Sequence, residues 1–208
     1  MSKITALRPA DRFKQRQKVF LDGKFAFSLT AEVAARADLK VGQEMDNDHV
    51  DALIRQDRYH RSLNQALRYL SYRPRSEAEL KEKLGRQGIS PAEIETITVR
   101  LRAEGLINDD SFAQFWKENR QSFRPRSQRL LRLELKHKGI PDDIIEGVVG
   151  EINDTESAYH AALDKARRLE LIDYQLFRQR LGSYLRRRGF DYGVINSTVA
   201  RIWQETGK

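Results

Sequence analysis

The sequence predicts a mainly α protein of tandem three-helix repeats, stacked into an elongated, curved body and preceded by a small α/β module with a β-hairpin or three-stranded meander. Three observations carry this prediction. The tetrapeptide Arg73-Pro74-Arg75-Ser76 returns 51 residues later as Arg124-Pro125-Arg126-Ser127. Six positions move with it: Leu80, Leu84, Gly88, Ile89, Ile94 and Leu101 become Leu131, Leu135, Gly139, Ile140, Ile145 and Ile152, then, 50 residues on, Leu181, Leu185, Gly189, Phe190, Ile195 and Ile202. Tandem copies of this length point to units that bury their apolar faces against their neighbours. The first 30 residues, by contrast, alternate apolar and polar side chains with the period of a strand.

The module occupies residues 1–56. Ile4 to Leu7, Gln17 to Leu21 and Lys24 to Leu29 read as strands, and Asp22-Gly23 between the last two is a strong short-range hairpin signal. A sheet this small is not stable alone, so a helix over Ala31 to Arg36 is expected to cover it. Lys40-Val41-Gly42 reads as a connector, and Asp46 as the cap of a further helix ending near Gln56.

The repeats are expected over 57–108, 109–153 and 154–208. Each opens on an amphipathic segment, near residues 58 to 71, 110 to 122 and 155 to 169. In the first, Ser76 with Glu79 three residues on has the spacing of a capping box, which starts a helix at Glu77. Gly88, able to take positive φ, stops it. Ser90, Pro91 and Glu93 open a third helix, which turns Ile94, Ile97 and Leu101 inward and ends before Gly105. Later copies vary the caps. Pro141 is followed by Asp142 and Asp143, which place negative charge in the first turn; Asp191 is itself an N-cap residue, and Asp154 is read as the cap opening the third repeat. Phe112, Phe115 and Trp116 are read as core. Trp203 fits a terminal helix docked on the third repeat, beyond which the last residues, Thr206 to Lys208, are expected to fray.

The formal net charge is +8. Residues 1–57 carry 10 basic and 9 acidic side chains, residues 58–208 carry 28 and 21, so the excess belongs to the repeats. It implies a polyanion or an acidic protein surface as partner. On a helix beginning near Arg126, the residues Arg129, Arg132 and Lys136 share one face while Leu131 and Leu135 point away. This basic stripe shows almost no acidic partner within helical reach. With Arg73, Arg75, Arg124 and Arg126, and with Arg186, Arg187 and Arg188 closing the second helix of the third repeat, it makes up the candidate partner-binding set.

Catalytic constellations are missing from the sequence: no phosphate-cradling glycine loop before a lysine, no HExxH, no GxGxxG after a strand. His49, His60, His137 and His160 lack metal-ligand neighbours at helical spacing, and there is no cysteine. Asp109-Asp110 and Asp142-Asp143 sit where caps are needed and are read as structural. No enzyme activity, metal or cofactor is expected. No stretch approaches the roughly 20 apolar residues that span a bilayer, so the expectation is a cytoplasmic monomer that does not engage membranes.

The run Ser76, Glu79, Leu80, Leu84, Gly88, Ile94, Leu101, Gly105, Leu106, Asp110, Phe112 and Ala113, continued by Gly139, resembles the RecX family of bacterial regulatory proteins. The resemblance covers roughly residues 60 to 205 and is stronger in the first two repeats. It implies tandem three-helix repeats that bind the RecA recombinase filament and modulate, mostly inhibit, its recombinase and ATPase activities in recombination, DNA repair and the SOS response. The alternative is a nonspecific module for single- or double-stranded DNA, built of helix-turn-helix-like units. Against base reading stands the lack, along the candidate helices, of a cluster of Asn or Gln beside Arg on one exposed face.

Overall fold

The structure is a computed structural model that describes residues 1–10, 15–169 and 173–206; of the residues expected to fray, Thr206 ends a helix and Gly207 and Lys208 lie outside the described residues. The described residues form four strands and ten helices. They fall into two compact units, one of Met1–Arg73 with Lys83–Arg100, the other of Pro74–Glu82 with Leu101–Lys208.

In the first unit, β1 (Ser2–Pro9), β2 (Arg16–Leu21) and β3 (Lys24–Thr30) form an antiparallel meander. The Asp22-Gly23 turn has φ of 48° and 81°, the left-handed pair that a two-residue hairpin needs to match strand twist. A fourth strand, β4 (Glu44–Met45), pairs with Ser2 and Lys3 and completes the order β3-β2-β1-β4. Two residues are too few to show an alternating pattern, which is why the sequence revealed only three strands. Thr30 caps α1 (Ala31–Arg36), its hydroxyl accepting from Val33 N at 3.4 Å. Ile4, Val19, Phe27 and Leu29 then close on Val33 and Ala34.

α2 begins as expected, with the Asp46 carboxylate accepting from His49 N at 2.7 Å, but it does not end near Gln56. It runs 24 residues, Asn47–Leu70, without a break. Neither glycine nor proline interrupts this stretch, and Asp57, read as the start of a new segment, is 2% exposed in mid-helix. Its carboxylate accepts from Thr30 N at 2.6 Å and pairs with Arg61 at 3.1 Å and Arg16 at 3.5 Å. The residue taken for a boundary is therefore the tie between β3 and α2.

Two helices, α3 (Glu77–Gly85) and α4 (Pro91–Ala103), contribute residues to both units. The second unit continues with α5 (Asp109–Phe123), α6 (Gln128–His137) and α7 (Asp142–Val149), then α8 (Asp154–Ala166), α9 (Tyr174–Arg187) and α10 (Tyr192–Thr206). Each triplet has a core of its own. Phe112 and Ala113 from α5 meet Leu131 and Leu135 of α6 and Ile145, Val148 and Val149 of α7. In the next triplet an alanine face of α8 (Ala158, Ala161, Ala162, Ala166) meets Phe177, Leu181 and Leu185 of α9 and Ile195, Val199 and Ile202 of α10, and Trp203 lies 5.2 Å from Phe177 between ring centres. Every apolar position of the sequence repeat is buried except Ile89, which is half-buried. Full burial of such a side chain stabilises by about 1.5–3 kcal/mol, so the repeat in sequence is a repeat of core.

Candidate partner-binding surface

The N-terminal turns of α3 and α6 do more than start helices. Ser76 Oγ accepts from Glu79 N at 3.2 Å, the capping bond, and donates to the Lys138 carbonyl at 2.6 Å, one triplet further along. Asp109 Oδ1 accepts from Glu77 N at 2.9 Å, and Lys138 Nζ reaches Glu79 Oε1 at 2.5 Å. The same joint recurs a repeat later. Ser127 Oγ accepts from Leu130 N at 3.2 Å, Ser127 N donates to the Arg188 carbonyl at 3.1 Å, and Asp154 Oδ1 accepts from Gln128 N at 2.8 Å.

Two glycines sit in these joints. Gly139 (φ 73°) lies so close to Ala78 that a Cβ on it would overlap the alanine methyl; a Cβ on Gly189 (φ 89°) would come within 2.5 Å of Ser127 Oγ and 2.8 Å of Leu130 Cβ. Burial pushes the Asp109 and Asp154 carboxyls above their ordinary range, and the bond each accepts from the backbone opposes that only in part. The structure thus corrects the role of Asp154. The cap of α8 is Asn153, which accepts from Thr155 N at 2.9 Å and Glu156 N at 3.2 Å, leaving Asp154 to hold the preceding triplet.

The candidate cations separate by what they touch. Arg188 is a joint residue: half-buried, over the Tyr184 ring at 4.5 Å, donating to the Pro125 carbonyl at 3.0 Å. Arg126 turns inward to Glu134, which also receives Arg120 Nε and Trp116 Nε1, both at 2.8 Å. Burial, followed by the charges of Arg120, Arg188 and Arg124, lowers the Arg126 pKa. The stripe is also not short of acids. Arg132 grips Glu146 with two bonds, 2.7 and 2.9 Å, and Lys136 reaches Asp142 at 3.0 Å. Both carboxylates stand on α7, where a reading confined to one helix does not see them. Arg73 and Arg75 are half-buried and engaged. Arg124, Arg129, Arg186 and Arg187 remain exposed, with no ion pair among the described residues.

A second correction concerns α9. Its exposed side carries Gln175, Arg178 and Gln179, with Asn196 of α10 beside them, around an open groove of about 350 Å³. This is the grouping of amide and guanidinium side chains that the sequence was held to lack; Asn196 joins it from another helix, and the two glutamines were legible only once the buried face of α9 was known. Among the described residues no cluster of His, Asp and Glu could hold a metal ion, and no helix is long and apolar enough to cross a membrane.

This fold and surface define a tandem three-helix-repeat protein with arginines outside and joints made of helix caps. Family profiles place it further. Residues 63–101 match the profile described as RecX, first three-helix domain, residues 108–149 that of RecX, second three-helix domain, and residues 2–46 the regulatory protein RecX N-terminal domain. A regulatory protein RecX of Bacillus velezensis is 31% identical over 208 residues, spanning 97% of this chain and 78% of the relative; that of Bacillus subtilis is 30% identical over 206 residues with the same coverage. A crystal structure of regulatory protein RecX superposes with a TM-score of 0.68 at 26% identity over 94% of this chain and 98% of its own. RecX from Lactobacillus salivarius gives 0.60 at 27% identity over 70% and 97%. The chain belongs to the RecX family of regulatory proteins.

Proposed function

We propose that this protein is a cytoplasmic regulator that binds the RecA nucleoprotein filament and modulates it, mostly by restraining recombinase and ATPase activity, in recombination, DNA repair and the SOS response. Family membership along the N-terminal domain and both profiled triplets is the observation that carries the reading. The recurring joint, in which Asp109 and Asp154 accept from Glu77 N and Gln128 N at equivalent places, supports it as a repeat architecture, and weak contacts from repeated units to successive subunits of a filament add through effective concentration.

Arg124 and Arg129, with Arg186 and Arg187 one triplet on, are the first contacts in this reading, since they meet an acidic surface without leaving an internal partner. Arg132 and Lys136 act second, by exchanging solvent-exposed ion pairs that contribute little to stability. The test is the rate of ATP hydrolysis by RecA on single-stranded DNA. The double variant Arg124→Glu, Arg129→Glu should need about tenfold more protein for equal inhibition, the change expected when charged contacts worth about 1.4 kcal/mol together are removed. Inhibition at the wild-type concentration would remove these arginines from the site.

A further inference from the structure

The groove between α9 and α10 is the third triplet's version of a surface that the second triplet closes. Under the shift of 50 residues, Arg132, Lys136, Asp142 and Glu146 correspond to Gly182, Arg186, Tyr192 and Asn196. The two ion pairs that cover α6 and α7 are therefore both dismantled: one cation becomes glycine, and both carboxylates become neutral. What remains is the 350 Å³ groove. Arg178 Nη2 reaches only uncharged oxygens there, Tyr192 Oη at 3.2 Å and Asn196 Oδ1 at 3.5 Å. From Tyr174 to Gln204 the only carboxylate is Asp191, and its Oδ1 caps α10 through Val194 N at 2.8 Å. An Asn196 hydrogen bond and the Arg178 charge hold the Tyr192 phenol below its ordinary pKa, the sign of a site that favours negative charge.

The opposite flank of α9 repeats the theme. A second groove, of about 560 Å³, is lined by Lys165, Arg180 and Arg187 with no carboxylate among its described lining residues, and Gln179 and Ser183 line both grooves. At about 100° per residue, Gln175, Gln179, Ser183 and Arg186 fill the middle of the exposed arc, with Arg178 at one margin and Arg180 and Arg187 at the other. Cations on two rails with amide, hydroxyl and one guanidinium group between them match a duplex, which presents two phosphate backbones either side of base edges. A helix of about 10–12 Å diameter fits a major groove about 12 Å wide. An acidic peptide would present one strip of charge and leave a rail unmatched.

We propose that α9 is a duplex-DNA docking helix, with Arg178 on one phosphate backbone, Arg180, Arg187 and Lys165 on the other, and Gln175, Gln179, Ser183 and Arg186 toward the groove floor. This gives the DNA-binding alternative a site, and it stands or falls apart from the filament reading because its assay contains no recombinase. The intact chain is titrated into a short fluorescent DNA duplex of arbitrary sequence over a range of salt concentrations, with polyglutamate as the competing polyanion. Wild type binds, and affinity falls with salt. Arg178→Ala with Arg180→Ala weakens binding about tenfold at low salt and reduces the logarithmic salt slope by about 2, one for each phosphate that is no longer neutralised. A second variant, Gly182→Arg with Asn196→Glu, installs the closing pair of the second triplet; Gly182 has room, its virtual Cβ being 3.5 Å from Ile195 Cγ2. It should lose duplex affinity while the unfolding midpoint holds or rises. Failure of wild type to bind duplex, unchanged affinity and slope in both variants, or tighter binding of polyglutamate than of duplex overturns the proposal.

Discussion

Gly139 and Gly189 answer two demands at once, a left-handed backbone and the closeness of the preceding triplet, whereas Gly88 answers only the first, since a Cβ there meets nothing within 4 Å. Alanine at Gly88 should therefore cost about 1–2 kcal/mol, the left-handed penalty alone. At Gly139 an overpacking cost of about 1–3 kcal/mol is added, for a total of about 2–5 kcal/mol. Urea unfolding of the two variants checks this, and equal losses would mean that the joint yields freely. The buried carboxylates give a pH signature. Because the folded-state pKa of Asp109 is raised, its contribution is most favourable at acid pH and is lost as pH rises through that raised value. Asp109→Asn keeps the acceptor oxygen and removes the titration. The stability of wild type relative to this variant should thus decline from acid to neutral pH. Burial alone would push neighbouring Glu77 up, but hydrogen bonds from Arg102 and Lys81 outweigh it and lower its pKa; that opposite trend is shared by both proteins and cancels in the difference to first order. A difference that grows with pH would contradict the assignment.

Among the elements, the ones legible in sequence were those whose signals are local. Ser76 and Asp191 stand as caps where their spacing placed them, and Asp22-Gly23 makes its turn. What the sequence could not show depends on partners far along the chain. Asp57 looked like a helix start because its ligands, Thr30 N and Arg16, lie 27 and 41 residues away. Its burial leads to a prediction: Asp57→Ala leaves the Thr30 N–H without its acceptor and should cost about 2–3 kcal/mol, seen as a lowered urea midpoint. A loss below about 0.5 kcal/mol, typical of surface positions, would mean that the α2 tie is not structural. The acids that pair with Arg132 and Lys136 of the α6 stripe were hidden for the same reason, since residues that share a face of one helix can each be answered by another. Arg129 and Arg132 are three residues apart, yet only Arg132 meets Glu146.

For the molecule as a whole, repetition was the most informative property of the sequence. Fixed spacing of apolar residues and glycines gave the triplets before any contact was known, while the joints that link them, Ser76 to Lys138 and Ser127 to Arg188, were invisible because backbone carbonyls leave no trace in side-chain identity. The same repetition makes departures from it meaningful. Where the second triplet has Arg132 and Glu146, the third has Gly182 and Asn196, and a surface closed in one copy is open in the next. The central claim, that a repeated cationic exterior engages an extended assembly, is tested most directly by co-sedimentation with RecA filaments formed on single-stranded DNA. The account predicts that wild type pellets with the filaments, and that the Arg124→Glu, Arg129→Glu variant, folded by circular dichroism, needs about tenfold more filament to pellet to the same extent. Equal pelleting of the two, or wild type left in solution, would contradict it.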